Sequence, residues 1–115
     1  NFANPDMIGH TGNLEAGIKA CEVVDEMLGK IVAEVRKKHG TIVITADHGN
    51  IEEMINLKTN EIVTTHTKNP VPFIVISDEA VRLNSKGNLA NVAPTILDLM
   101  GVKAPKEMTG KSLIK

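Results

Sequence analysis

Apolar residues in the first third of the chain recur with helical period. Leu14, Ile18, Cys21, Val24, Leu28, Ile31 and Val35 fall three or four positions apart. That spacing predicts an amphipathic helix over 11–38 with one face turned to a core. Thr11 or Asn13 can cap its start, Glu15 sits in its first turn, and Arg36, Lys37, Lys38 and His39 gather at its end before Gly40, all favourable to the helix dipole. The pattern then changes. Thr41 to Ala46 is a short, β-branched, nearly continuous apolar run, the mark of a strand covered on both faces. Residues 54–65 read as a hairpin turning at Lys58-Thr59-Asn60. Val71 to Ile76 is a second buried strand, Leu89 to Met100 a second helix stopped by Gly101, and the tail is mostly loop. Asn1 to Asp6 read as the tail of an earlier strand entering a loop, as expected of a piece taken from a longer protein.

Strand, long helix, strand is a βαβ unit, so the expected fold class is α/β: one domain over 1–115 with a parallel sheet covered by helices. Composition agrees with a globular chain: 115 residues, 42% hydrophobic, with a core that must be aliphatic because there are two Phe and no Tyr or Trp. The net charge of −1 leaves no basic footprint for nucleic acid. No apolar run nears the roughly 18 residues that span a bilayer, so no membrane partner is expected. Cys21 is the only cysteine, which excludes a disulfide framework and a Cys-type zinc site and favours a reducing, cytoplasmic setting.

Candidate chemistry lies at the ends of these elements. Asp6 and His10 follow the first expected strand, Asp47 and His48 follow the second, and His66 sits in a loop. Ligands of open α/β sheets bind beyond the carboxyl ends of strands, so the first two clusters should meet although about 40 positions separate them. Carboxylates with imidazoles suit Zn²⁺, Mn²⁺ or Fe²⁺ better than Ca²⁺. Five such side chains exceed one tetrahedral shell and suggest two metals, an arrangement suited to phosphoryl transfer. Blander readings hold elsewhere. His39 is a helix-end cation, Cys21 a core residue, and Met27, Met54 and Met100 packing side chains.

The run Asn4-Pro5-Asp6-Met7-Ile8-Gly9-His10-Thr11-Gly12 resembles the cofactor-independent (2,3-bisphosphoglycerate-independent) phosphoglycerate mutases. So do Thr45-Ala46-Asp47-His48-Gly49-Asn50, Thr64-Thr65-His66-Thr67, Asn91 to Leu99, and Thr109-Gly110-Lys111-Ser112-Leu113. Asp-His-Gly is shared across the wider alkaline-phosphatase-like superfamily; the first motif is the more specific. The resemblance implies interconversion of 3-phosphoglycerate and 2-phosphoglycerate in glycolysis, through a phosphoserine intermediate, with two divalent metals, often Mn²⁺ (Zn²⁺, Co²⁺ or Mg²⁺ being alternatives). It implies that Asp6, His10 and His66 ligate one metal, and Asp47 and His48 the other. The family's nucleophilic Ser and remaining metal-binding Asp match nothing in this sequence. The chain thus corresponds to the C-terminal part of a phosphatase-like domain and is expected to be inactive without the remainder of the parent chain. Two other readings stay open: a different metal-dependent phosphatase or phosphodiesterase of that superfamily, and a non-catalytic metal-binding module.

Overall fold

The computed structural model describes all residues from Asn1 to Lys115. In chain order it holds helix α1 (Asn4–Gly9), helix α2 (Leu14–Arg36), strand β1 (Ile42–Thr45), a 3-10 turn at Ile51–Glu53, strand β2 (Phe73–Ile76), a 3-10 turn at Leu89–Asn91 and helix α3 (Val92–Leu99). The long helix stands where the apolar period placed it. Asn13 caps it by accepting from the Ala16 N–H at 3.0 Å. Its end differs in detail from expectation: His39, at φ 55°, takes the left-handed position, and the Gly40 N–H returns to the Val35 carbonyl at 3.1 Å. The His39 ring then meets the Asp78 carboxylate at 2.7 Å, tying the end of α2 to the segment after β2.

Three expectations need correction. First, no strand opens the chain. Pro5 stands at the start of α1 and Asp6 in its first turn, both helix-favouring placements. Second, the sheet is not parallel. β1 and β2 form one antiparallel pair with Ile42 opposite Ile76, Val43 opposite Val75, Ile44 opposite Ile74 and Thr45 opposite Phe73. Parallel neighbours need a crossover that returns the chain to its starting end. Between β1 and β2 there is only a 3-10 turn and a tight reversal, in which Ile55 bridges Ile62 and Asn60 adopts φ 59°. The chain therefore re-enters the sheet from the end it left, as an antiparallel partner must. That reversal matches the hairpin expected over 54–65.

Third, the apolar faces are not covered. Only nine residues are buried, and Leu14, Ile18 and Ile31 of α2 remain exposed, as does Cys21. Every residue of β1 and β2 is at least partly exposed. The radius of gyration is 16.5 Å, above the roughly 13 Å of a compact 100-residue domain. Four of the seven positions expected on the core face of α2 (Leu14, Ile18, Cys21 and Ile31) are exposed, and the residues of α2 that are buried are Gly17 and Ala20; periodicity reports which side is apolar and not what packs on it. Of the three methionines assigned to packing, Met54 is buried and Met100 is exposed. No helix is long and apolar enough to cross a membrane.

The C-terminal tail, expected as loop, is pinned in place. Leu113 is buried, and Ile114 bridges Leu83. Thr95, the most buried side chain, donates from Oγ to the Asn91 carbonyl at 2.6 Å and accepts from the Leu113 N–H at 2.9 Å. Thr95→Val keeps the volume and strands that N–H. A loss of about 1–3 kcal/mol is expected, read as a lower denaturation midpoint. An unchanged midpoint would show that the tail does not depend on this hydroxyl.

Candidate metal centre

Three chain segments supply the site: α1 with its following turn, the loop leaving β1, and the loop around His66. Asp6 and His10 lie four positions apart on α1, so their side chains project to one side. The His10 Nε2 lies 3.3 Å from Asp6 Oδ1. His66 arrives from more than fifty positions away and places its Nε2 3.1 Å from Asp6 Oδ1 and 3.1 Å from His10 Nε2. His48, at the exit of β1, stacks its ring on His66 with centroids 3.7 Å apart and planes 21° from parallel. Asp6, His48 and His66 each present a donor atom within 4.8 Å of the others. Asp47 is the outlier. Its side chain is 83% exposed, with Oδ2 3.6 Å from His48 Nε2, and its Oδ1 accepts from the His48 N–H at 3.1 Å. Four of the five candidate ligands therefore gather, and Asp47 stands at the rim.

Tautomers follow from the partners. The His10 Nδ1 faces the Thr64 carbonyl at 2.6 Å. A carbonyl can only accept, so Nδ1 carries the proton and Nε2 keeps its lone pair toward Asp6 and His66. His48 Nδ1 lies 3.3 Å from the Gly49 carbonyl and its Nε2 3.6 Å from Asp47 Oδ2, so each ring nitrogen has an acceptor beside it. The result is several electron pairs pointed at one small volume. Such a cluster calls for a proton or a cation at its centre. Ligand bonds of about 2.0–2.1 Å in tetrahedral geometry set donor–donor separations of roughly 3.3–3.4 Å. The three separations among Asp6, His10 and His66, 3.1 to 3.3 Å, are close to that value. The donor set and its spacing fit a divalent ion.

Two residues that sequence reasoning passed over organise this cluster. Asn50 is buried and sends Nδ2 to Asp6 Oδ1 at 2.9 Å, while its own Oδ1 is buried without a partner. Burial works to raise the Asp6 carboxyl pKa. The Asn50 hydrogen bond and the positive charge that His10, His66 and His48 carry when protonated outweigh it and hold the group below its ordinary value. Glu52 is likewise raised by burial and lowered further by hydrogen bonds from the Thr67 hydroxyl, its own N–H, Asn69 and the Asn50 N–H, for a net downward shift. Asn50 was visible as the residue closing the Asp-His-Gly-Asn run. Nothing in the sequence marked Glu52.

Asp6, His48 and Asn50 line a cleft of about 950 Å³ whose walls also include β1 and Val24, Leu28 and Ile31 of α2. A second hollow of about 540 Å³ lies on the far side of Asp47 and His48, bounded by Lys68, Asn69, Asn84 and Asn88.

A family model describing the Metalloenzyme superfamily matches residues 1–104. The chain belongs to the Metalloenzyme superfamily. Among its relatives in that superfamily, the 2,3-bisphosphoglycerate-independent phosphoglycerate mutase of Clostridium kluyveri is 56% identical over 115 residues, covering 100% of this chain and 23% of the relative. An enzyme of the same name from Methanosarcina barkeri, numbered 2, is 54% identical over 114 residues, covering 99% and 22%. A crystal structure of Leishmania mexicana phosphoglycerate mutase at low cobalt concentration superposes with a TM-score of 0.87 at 36% identity, covering 100% of this chain and 24% of that one. The chain thus spans about a quarter of the length of the relatives it matches. The mutase resemblance first carried by the Asn-Pro-Asp motif extends over the whole chain, and so does the fold. Divalent metal use is the chemistry that this superfamily membership and the imidazole–carboxylate cluster share.

Proposed function

We propose that this chain is the metal-binding, C-terminal part of the phosphatase-like domain of a 2,3-bisphosphoglycerate-independent phosphoglycerate mutase. The whole protein then interconverts 3-phosphoglycerate and 2-phosphoglycerate through a phosphoserine, in a cytoplasmic setting. The observation that carries the reading is the meeting of Asp6, His10 and His66 at 3.1 to 3.3 Å from segments far apart in sequence, in a chain more than half identical to enzymes of that name.

In this reading Asp6, His10 and His66 hold one divalent ion, with Mn²⁺ favoured and Zn²⁺, Co²⁺ or Mg²⁺ as alternatives. His48, together with Asp47 after a rotation of that exposed side chain, contributes to a second. A bound ion would polarise phosphoryl oxygens and lower the pKa of an attacking hydroxyl. The chain's own part is positional. The Thr64 carbonyl fixes the His10 tautomer, Asn50 orients the Asp6 carboxylate, and the His48–His66 stack brings two imidazoles to one place. The nucleophilic serine motif of the mutases matches nothing in this sequence, so the chain alone is expected to have no mutase activity.

Calorimetric titration with Mn²⁺ tests this. One ion bound clearly more tightly than any second, with no mutase turnover by the chain alone, is the expected result. Two equivalents of similar affinity, or turnover by the chain alone, would overturn the division of ligands. A general phosphatase reading would gain ground only if the longer protein hydrolysed phosphate esters without isomerising phosphoglycerate.

A further inference from the structure

Around the cluster, one carboxylate is used in an unusual way. Glu52 sits in the 3-10 turn after the Asp47–His48 loop, and its two oxygens are both engaged, one by its own segment and one by the loop of His66. Oε2 accepts from the Asn50 N–H at 2.6 Å. Oε1 accepts from the Thr67 hydroxyl and from Asn69 Nδ2, the latter at 3.0 Å. Thr67 directly follows His66. The same two loops are joined by the Thr67 N–H bonding to the Gly49 carbonyl at 2.9 Å. They approach so closely that a Cβ on Gly49 would overlap both the Thr67 hydroxyl and the Glu52 carboxylate. From Asn50 the connection continues across the site, because the Asn50 side chain donates to Asp6 on α1. Glu52 is thus the hub of a continuous hydrogen-bonded brace, Thr67 to Glu52 to Asn50 to Asp6, that touches all three ligand-bearing segments.

We propose that Glu52 is a positioning residue of the metal centre: its carboxylate sets the distance between the His48 loop and the His66 loop, and through Asn50 the aim of Asp6. The proposal rests on the metal-centre reading above. Glu52 is not itself a ligand, since its acceptor positions face the Asn50 N–H, Thr67 and Asn69. Charge alone does not define its role either. Glu53, its neighbour, has the same charge but accepts only from Asn69, at 2.9 Å, and reaches neither Thr67 nor Asn50. The brace needs an acceptor at both ends, which a carboxylate provides and a carboxamide does not. In Glu52→Gln an amide NH₂ facing the backbone Asn50 N–H sets donor against donor, and one facing Thr67 and Asn69 requires the hydroxyl or the Asn69 amide to turn and accept, which undoes their present donation to this side chain.

Cobalt supplies the test, because its visible absorption reports ligand geometry separately from affinity. Co²⁺ titrations of the unaltered protein, Glu52→Gln and Glu53→Gln are compared, with far-UV circular dichroism as the check on folding. Glu52→Gln should weaken Co²⁺ binding by about 10- to 100-fold, the usual cost of losing a group that orients metal ligands. It should also shift the absorption bands of the saturated protein, which a loss of fold stability alone would not do. Glu53→Gln should leave both readings at wild type. Wild-type affinity and bands in Glu52→Gln, or an equal loss in Glu53→Gln, would overturn the proposal. If Glu52→Gln does not fold, Thr67→Val removes one contact of the brace and should give a smaller loss with a band shift; no change there would overturn it equally. Failure of the unaltered protein to take up Co²⁺ would instead strike at the metal-centre reading.

Discussion

Asp6→Asn is expected to abolish tight divalent-metal binding while leaving the helices intact. Its carboxylate is the one negative group in contact with both His10 and His66. An amide of the same shape would bring either a neutral oxygen or an NH₂ to the point where three donor atoms now meet. Loss of a supporting contact costs metal sites up to roughly 100-fold in affinity, and loss of the charged ligand itself should exceed that. Titration calorimetry with Mn²⁺ reads the affinity, and far-UV circular dichroism verifies that α2 survives. Retention of wild-type affinity would remove Asp6 from the ligand set. The substitution should not unfold the chain, because the Asp6 side chain is 40% exposed and the Asn50 amide can still donate to an amide oxygen.

Gly9→Ala carries the second largest effect and decides between two opposed forces. Gly9 is the last residue of α1, where helix propensity favours Ala by at most the roughly 0.5–1 kcal/mol of a helix interior. It is also buried, and a Cβ there would overlap the side-chain amide of Asn50. Asn50 has no room to retreat, being buried itself with its carbonyl oxygen already lacking a partner. Forcing a methyl into such packing costs about 1–3 kcal/mol, and displacing Asn50 forfeits a hydrogen bond to a carboxylate worth roughly 1.5–3 kcal/mol. Packing therefore wins over propensity. The denaturation midpoint should fall at unchanged slope, and metal affinity should fall with it. A midpoint that rises would mean that Asn50 moves aside at little cost.

The elements were legible where one force dominates locally. The apolar period of α2 is unmistakable over six turns, and Ile42-Val43-Ile44 has little choice but a strand. The α3 stop at Gly101, with φ +67°, was likewise visible. What failed was pairing. Whether β1 and β2 run parallel depends on how the chain between them returns, and that return is made by a reversal at Asn60, not by a helix. The opening segment failed because Pro-Asp can start a helix as readily as it can end a strand. In the site, Asp6, His10 and His48 were readable by residue type and position, and His66 only through the family resemblance. Glu52 and the Thr64 carbonyl were not, because their roles exist only once distant loops touch.

That dependence on distant contact has a kinetic side. The bonds that define the centre span long stretches of chain: 54 positions for His10 to Thr64, 56 for His10 to His66 and 44 for Asn50 to Asp6. A helix such as α2 forms within about a microsecond from neighbours alone, whereas contacts of this sequence separation must first overcome loop closure. The centre is therefore expected to form after α2, among the last parts of the molecule to come into being. A chain that has its helices but not its closures has no place for an ion, and competence to bind one marks the completion of folding.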